Sequence, residues 1–252
     1  MVKSNIKTYS ELNVIYEDGD IIVINKPAGL LSIPERYDKF TNSIFRILKK
    51  QFETIFTVHR LDRDTSGIIV FAKNAESHSN LNTQFEKREV KKIYHCVIAG
   101  SFNKENLLVD IPLLPDPTRK GTMVPSARGK ESFTEIKLLE KYTRASLVEV
   151  NLITGRHHQI RAHCAAIGYP LLVDELYGNN TEFFVSSIKK RYKVKKGDEE
   201  KALISRITMH AYSIEFKHPK TNEIVSYLAD YPKDFQALIQ ILRKYASVRN
   251  WF

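Results

Sequence analysis

Residues 58–67 read Val-His-Arg-Leu-Asp-Arg-Asp-Thr-Ser-Gly (VHRLDRDTSG) and run directly into Ile68-Ile69-Val70-Phe71-Ala72. The apolar pentapeptide predicts a buried strand. The charged stretch before it is therefore a site leading into the core, not a solvated cluster. It carries two acids, Asp62 and Asp64, beside two arginines, Arg60 and Arg63. A nearby guanidinium favours the ionised carboxylate, which makes such an aspartate a poor general acid and a good nucleophile or base. An internal salt bridge tying the strand to a neighbouring element is the other reading that the motif alone allows.

Working outward, Asp20-Ile-Ile-Val-Ile-Asn25 predicts a second buried strand, ended by the turn Lys26-Pro27-Ala28-Gly29. Ile44, Ile47 and Leu48 lie at helical spacing, with Thr41 and Ser43 as candidate caps. Residues 92–100 form a strand with Tyr94, Cys96 and Ile98 on one face. Residues 110–131, with four prolines and two glycines, suggest a long loop or irregular arm. Leu147 to Thr154 alternates, with Val148, Val150 and Leu152 inward, and a helix follows from about Arg156 to Ile167. Its stripe is Ile160, Cys164 and Ile167, and Gly168 with Pro170 stops it. A last strand around 214–216 precedes a closing amphipathic helix carrying Phe235, Leu238, Ile239 and Leu242. Strands and helices that do not alternate strictly indicate a mixed α+β domain, and no linker divides the chain. The segment 179–203 stands out as an insertion or exposed element. Its run Lys-Lys-Arg-Tyr-Lys-Val-Lys-Lys at 189–196 suits a solvated basic face and an RNA contact equally.

The 252 residues, 42% hydrophobic and 27% charged, suffice for a real core. A net charge of +10 points toward nucleic acid, against the plainer alternative of a generally basic soluble protein. No apolar run approaches a membrane span, and the first residues show no signal-peptide pattern. Two cysteines, Cys96 and Cys164, are too few for a disulfide framework, so a reducing cytoplasm is expected.

His59, His157, His158 and His163 with Asp62 and Asp64 invite a metal. His158 and His163 are five apart, off the i, i+4 face of a zinc helix, and the arginines among these residues would repel a cation. Histidines bonded to backbone or RNA are preferred, and no metal site is expected. Ser66 lacks a nucleophile elbow, and no phosphate loop or dinucleotide fingerprint occurs.

His59-Arg60-Leu61-Asp62 with Thr65-Ser66-Gly67 resembles the signature of the RluA-type RNA pseudouridine synthases. Further segments match in order: 20–29, Lys92-Ile-Tyr94, Gly129-Lys130 with Thr134, 154–163, Gly168-Tyr-Pro170, Asp174, Tyr177-Gly178, Met209-His210-Ala211 and His218-Pro219. The resemblance spans about residues 14–242. It implies a mixed, mainly antiparallel curved sheet with flanking helices, a single catalytic domain, and no separate N-terminal RNA-binding domain.

It also implies conversion of uridine to pseudouridine in ribosomal or transfer RNA, without metal or cofactor. Asp62 would be the catalytic carboxylate, Tyr94 would pack on the target base and serve proton transfer, and Arg161 would hold Asp62 ionised. Arg60 would fill the space left by the flipped nucleotide, and His59, Lys92, Lys130, Arg156, His158 and Gln159 would complete the RNA contacts. Asp64 is left as a local salt-bridge or cap residue. A monomer without an obligate protein partner or membrane association is expected. His157 stands where the family more often has a small hydroxyl residue. A non-catalytic RNA-binding relative of the same fold, and a metal-dependent nuclease using Asp62 and Asp64, are the alternatives.

Overall fold

A computed structural model describes residues 6–35, 41–178, 180–194 and 197–248. Along the chain the elements are β1 (Asn13–Glu17), β2 (Ile21–Lys26), α1 (Ile44–Gln51), β3 (Phe56–Thr57), β4 (Ser66–Ala72), α2 (Ala75–Glu86), β5 (Lys91–Ala99), β6 (Asn106–Asp110), β7 (Leu113–Pro115), β8 (Met123–Pro125), β9 (Phe133–Lys141), β10 (Ala145–Leu152), α3 (Gln159–Ala166), β11 (Met209–Lys217), β12 (Ile224–Leu228) and α4 (Lys233–Tyr245). Compactness divides them into two units. One comprises residues 1–94 and 210–231, the other 95–209 and 232–252. The cuts fall inside β5 and β11 and just before α4, so no linker marks them.

In the first unit the strand order is β1-β2-β4-β11, with β3 also on β4 and β12 on β11. β2 and β4 pair antiparallel from Ile21↔Ala72 to Lys26↔Gly67. Every residue of β4 is buried, as are Ile21 to Ile24, which is why these strands read as unbroken apolar runs rather than alternating ones. β11 joins β4 in parallel, Ser66 opposite His210 and Gly67 opposite Ala211, while β12 is antiparallel to β11. Of the two candidate caps for α1, Ser43 serves: its side chain accepts from the Arg46 amide at 3.2 Å.

In the second unit the order is β5-β10-β9-β6. β10 and β9 form a hairpin with one register shift between Leu147 and Val148. The closing helix α4 buries Phe235, Leu238, Ile239 and Leu242, as its periodicity predicts. Arg206, 4% exposed, holds Asp234 near the start of that helix through two bonds of 2.7 and 2.8 Å.

Two expectations are corrected. The arm at 110–131 is not irregular: β7 and β8 pair antiparallel from Leu113↔Pro125 to Pro115↔Met123. Pro115 and Pro125 are the last residues of the two strands, a position that tolerates proline, and Pro112 and Pro117 lie outside them. Helix α3 starts at Gln159 rather than near Arg156, because His158 takes a left-handed conformation, φ 51°, that a helix cannot include. Strand β12 was not anticipated, since Ile224 and Leu228 face solvent and its pattern carries little core signal. The segment near 179–203 is pinned at its base, where the Phe183 amide donates to the Ile204 carbonyl at 2.9 Å and the Leu203 amide to the Phe183 carbonyl at 2.8 Å. Lys195 and Lys196 of its basic run lie outside the described residues.

Candidate active site

The loop bearing Asp62 is fastened on both sides of that residue. Ser32 Oγ donates to the Leu61 carbonyl at 2.8 Å and accepts from the Leu61 amide at 3.0 Å. The Arg63 carbonyl accepts from the Gly29 amide at 2.9 Å and from Lys26 Nζ at 2.8 Å. Lys26 is fully buried at the end of β2, and its ammonium also donates to the carbonyls of Leu30 and Pro27. A buried ammonium is tolerated only with such partners, so Lys26 acts as a cationic clamp between the 27–30 turn and the 61–64 loop. Asp62 itself is half-buried, and its carbonyl accepts from the Thr65 amide at 3.2 Å. Fixing the neighbours of a carboxylate in this way is what preorganised chemistry requires.

The strand that follows is anchored across the unit. Ser66 Oγ and His210 Nδ1 lie 2.9 Å apart, and His210 Nε2 is 3.0 Å from the Ala229 carbonyl. The carbonyl needs a donor, so Nε2 carries the proton and Ser66 donates to Nδ1. Tyr94 lies in β5, 8% exposed.

Asp64 does not fulfil the scaffold expectation. Arg63 pairs with Glu35 instead, and Asp64 Oδ1 is buried without a hydrogen-bond partner among the described residues.

His59, expected as an RNA contact, has partners within the first unit. Its Nε2 accepts from the Val70 amide at 3.0 Å, and its ring stacks on Phe85 at 5.0 Å. Burial, and then the Lys92 charge, lower its pKa to about 3. The folded value lies below the unfolded one of about 6.5. The neutral ring's contribution to stability is therefore complete above pH 6.5 and is lost as pH falls from there toward 3. Urea midpoints between pH 7 and 4 should fall for the wild type. With His59→Gln they should start lower and decline less, and parallel acid limbs would contradict this.

Lys92 Nζ sits 5.7 Å over the Phe85 ring, its pKa lowered by burial and by Arg88. Arg60 is exposed.

In the second unit the 154–163 motif forms a turn followed by α3. Arg161, 6% exposed, donates from Nε and Nη2 to the two oxygens of Asp174, each at 2.7 Å. Asp174 is fully buried, and its Oδ1 also accepts from the Leu176 and Tyr177 amides. Arg161 Nη1 lies 3.0 Å from His158 Nε2, and its guanidinium stands 5.0 Å from the centre of the Tyr177 ring. Arginine can only donate, so His158 Nε2 accepts, leaving Nδ1–H for the Tyr177 oxygen at 3.1 Å. The Tyr177 oxygen also accepts from the Met123 amide in β8 at 2.7 Å. The carboxylate that fixes Arg161 was missed by sequence reasoning. Asp174 is 13 residues away, beyond any helical or strand spacing, and only its place in the family pattern marked it.

Asp174→Ala would leave a buried guanidinium and the amides of Leu176 and Tyr177 without this acceptor. A loss of about 3–5 kcal/mol is expected, read as a lower denaturant midpoint. A loss under about 1 kcal/mol would show that Arg161 finds another partner.

Gln159, expected as an RNA contact, lies with its side chain inside the turn before α3. It is 2% exposed and fully engaged: Oε1 accepts from Thr154 Oγ1 and the Arg156 amide, and Nε2 donates to the Phe133 carbonyl and Thr134 Oγ1. It closes the turn that sets the start of α3. His163 is likewise internal, between Thr134 Oγ1 and the Ile111 carbonyl, both at 2.9 Å. Arg156 is half-exposed, its Nε donating to the Glu131 carbonyl at 3.2 Å. Lys130 is exposed, and its backbone bonds to Leu113 in both directions. The adjoining Gly129 permits that approach, since a Cβ there would lie 2.6 Å from the Leu113 carbonyl carbon. Both cysteines are buried and unpaired, with thiol pKa values raised by burial, Cys164 to about 12. Neither suits a nucleophile.

Comparison with known proteins accords with this arrangement. The profile of the RNA pseudouridylate synthase family matches residues 20–166. The ribosomal large subunit pseudouridine synthase D of Neisseria meningitidis serogroup B is 34% identical over 94% of this chain, which spans 63% of that protein's length. The dual-specificity RNA pseudouridine synthase RluA of Vibrio vulnificus is 33% identical, with 88% of this chain and 83% of that protein covered. A solved structure, human RNA pseudouridylate synthase domain containing 4, superposes with a TM-score of 0.72 over 94% of this chain and 95% of its own, at 23% identity, and so shares the fold. The chain belongs to the RNA pseudouridine synthase family, in its RluA-type branch.

Proposed function

We propose that this protein converts selected uridines in ribosomal or transfer RNA to pseudouridine, with Asp62 as the working carboxylate. The N1–C1′ bond breaks, the uracil turns, C5 bonds to C1′, the C5 proton leaves and N1 gains one. No atom is gained or lost overall, so positioning and electrostatics can carry the reaction without a cofactor. The observation that carries the reading is the loop at 61–63, its backbone held on both sides of Asp62 by Ser32 and Lys26, in a chain of this family.

Tyr94 is assigned to packing against the target base and to proton transfer from C5, and Arg161 to keeping Asp62 ionised. Exposed Arg60 is assigned to the space a flipped nucleotide vacates, at an unstacking cost of a few kcal/mol. Lys92, Lys130, Arg156 and His158 remain candidate RNA contacts. The protein is proposed to act as a monomer in the cytoplasm. No helix among the described residues is long and apolar enough to cross a membrane.

The test is incubation of ribosomal and transfer RNA transcripts with the purified protein, in excess chelator, followed by carbodiimide mapping of pseudouridine. Discrete chelator-insensitive modification is expected. Intact RNA with no pseudouridine would favour a non-catalytic relative, and chelator-sensitive strand cleavage would favour a nuclease.

A further inference from the structure

The basic segment left without a role in the catalytic assignment has a defined structure. From the Phe183–Ile204 base the chain runs out through a short 3-10 turn at Val185–Ser187. It then reverses at Lys189–Tyr192, where the Tyr192 amide donates to the Lys189 carbonyl at 3.2 Å and Arg191 adopts φ 58°. A left-handed arginine is a conformation that non-glycine residues rarely hold. Here it turns Tyr192 outward with 36% of its surface exposed. Lys189 Nζ lies between two aromatic faces, 5.5 Å from the Tyr192 ring centre and 5.2 Å from that of Tyr245 at the end of α4. Lys244 Nζ stands 5.4 Å from the same Tyr245 ring.

The patch thus interleaves two tyrosines with Lys189, Lys190, Arg191, Lys193 and Lys244. Among the described residues none of these five cations has a carboxylate partner within ion-pair distance, whereas Arg63, Arg161, Arg206 and Arg243 each have one. Like charges gathered without counter-charges repel one another, and a polyanion relieves that cost. A merely solvated basic face has no need of aromatic rings among its ammonium groups. Rings beside cations are what single-stranded nucleic acid requires, a face for a base and a charge for the phosphate.

We infer that the surface formed by Lys189–Lys193 and the last turn of α4 binds single-stranded RNA, stacking a base on Tyr192 and pairing phosphates with Lys189, Lys190, Lys193 and Lys244. This rests on the reading of the protein as an RNA-modifying enzyme for the identity of the polyanion. The surface lies in an excursion from the fold, so it selects or tethers the substrate and takes no part in the chemistry.

The experiment is fluorescence anisotropy of a labelled oligouridine of about 12 nucleotides, titrated with full-length protein across a salt series, with polyglutamate as a second probe. The quadruple variant Lys189→Gln, Lys190→Gln, Lys193→Gln, Lys244→Gln should bind at least about tenfold more weakly and lower the salt slope by about 0.7 per lost contact. Tyr192→Ala should lose about fivefold or more through stacking, with little change in slope. Circular dichroism melts matching the wild type establish that the variants are folded. Unchanged affinity in the quadruple variant overturns the inference. So does a Tyr192→Ala protein that binds as the wild type while polyglutamate competes equally, which would mark a surface for acidic partners. Because binding is read without turnover, a protein that forms no pseudouridine but loses RNA affinity in these variants would remove the catalytic reading and leave this one standing.

Discussion

Asp62→Asn is expected to reduce pseudouridine formation at least about 10³-fold, within the range for loss of a positioned base and below that for loss of a nucleophile. The amide keeps the size and shape of the carboxylate but removes its charge and most of its basicity. The loop on either side of it is held through its neighbours: Leu61 by Ser32, and Arg63 by Lys26 and Gly29. The variant should therefore melt near the wild type and retain RNA affinity. Carbodiimide mapping of RNA treated with equal amounts of each protein reads the product. Asp64→Asn supplies the contrast. Its Oδ1 is buried and has no hydrogen-bond partner among the described residues, so the amide gives up no bond there and should leave stability near the wild type, with activity largely retained. Equal loss of activity in both variants would overturn the assignment of unequal roles, and undiminished product from Asp62→Asn would overturn the site.

Gly67→Ala should be the most damaging of the added methyls among the glycines compared, Gly19, Gly67, Gly100, Gly121, Gly129, Gly155, Gly168, Gly178 and Gly197. A Cβ at Gly67 would lie 2.1 Å from the Ala211 carbonyl oxygen and 2.6 Å from its amide nitrogen, and φ is +115°. Both obstacles are backbone, so no rotamer change relieves them. β4 and β11 would have to separate at the very rung where they pair in parallel, and the Ser66–His210 bond lies on the adjacent rung. A loss of about 4 kcal/mol or more follows from overpacking and backbone strain together. At about 2–4 °C per kcal/mol for a chain of this size, the melting temperature should drop on the order of 10 °C, or the protein should fail to accumulate as soluble material. Gly19→Ala, where an added Cβ meets nothing within 4 Å, is the control and should melt close to the wild type. A Gly67→Ala protein as stable as that control would mean the two strands part easily.

Much of this molecule could be read along the chain. Unbroken apolar runs located β2 and β4, because strands buried on both faces leave no polar alternation. The i, i+3, i+4, i+7 pattern located α4, and the helical spacing of Ile44, Ile47 and Leu48 narrowed the cap of α1 to Thr41 or Ser43, of which Ser43 serves. Those signals record burial and local hydrogen bonding, which act over a few residues and leave a periodicity of 2 or 3.6. The motif around Asp62 and its family resemblance came from the same chain.

What tertiary structure alone decided was who meets whom. Lys26 reads as an ordinary turn lysine until Arg63, 37 residues on, supplies a carbonyl for its buried ammonium. Ser66 finds His210 across 144 residues, and Arg161 takes Asp174 as a buried partner. Gln159 spends its hydrogen-bonding capacity on the turn before α3, and His59 Nε2 accepts from the Val70 amide of β4. Donors and acceptors carry no label of their partners in the sequence. Desolvation forces each buried one to be matched, and only the crossing of distant segments determines which match is within reach.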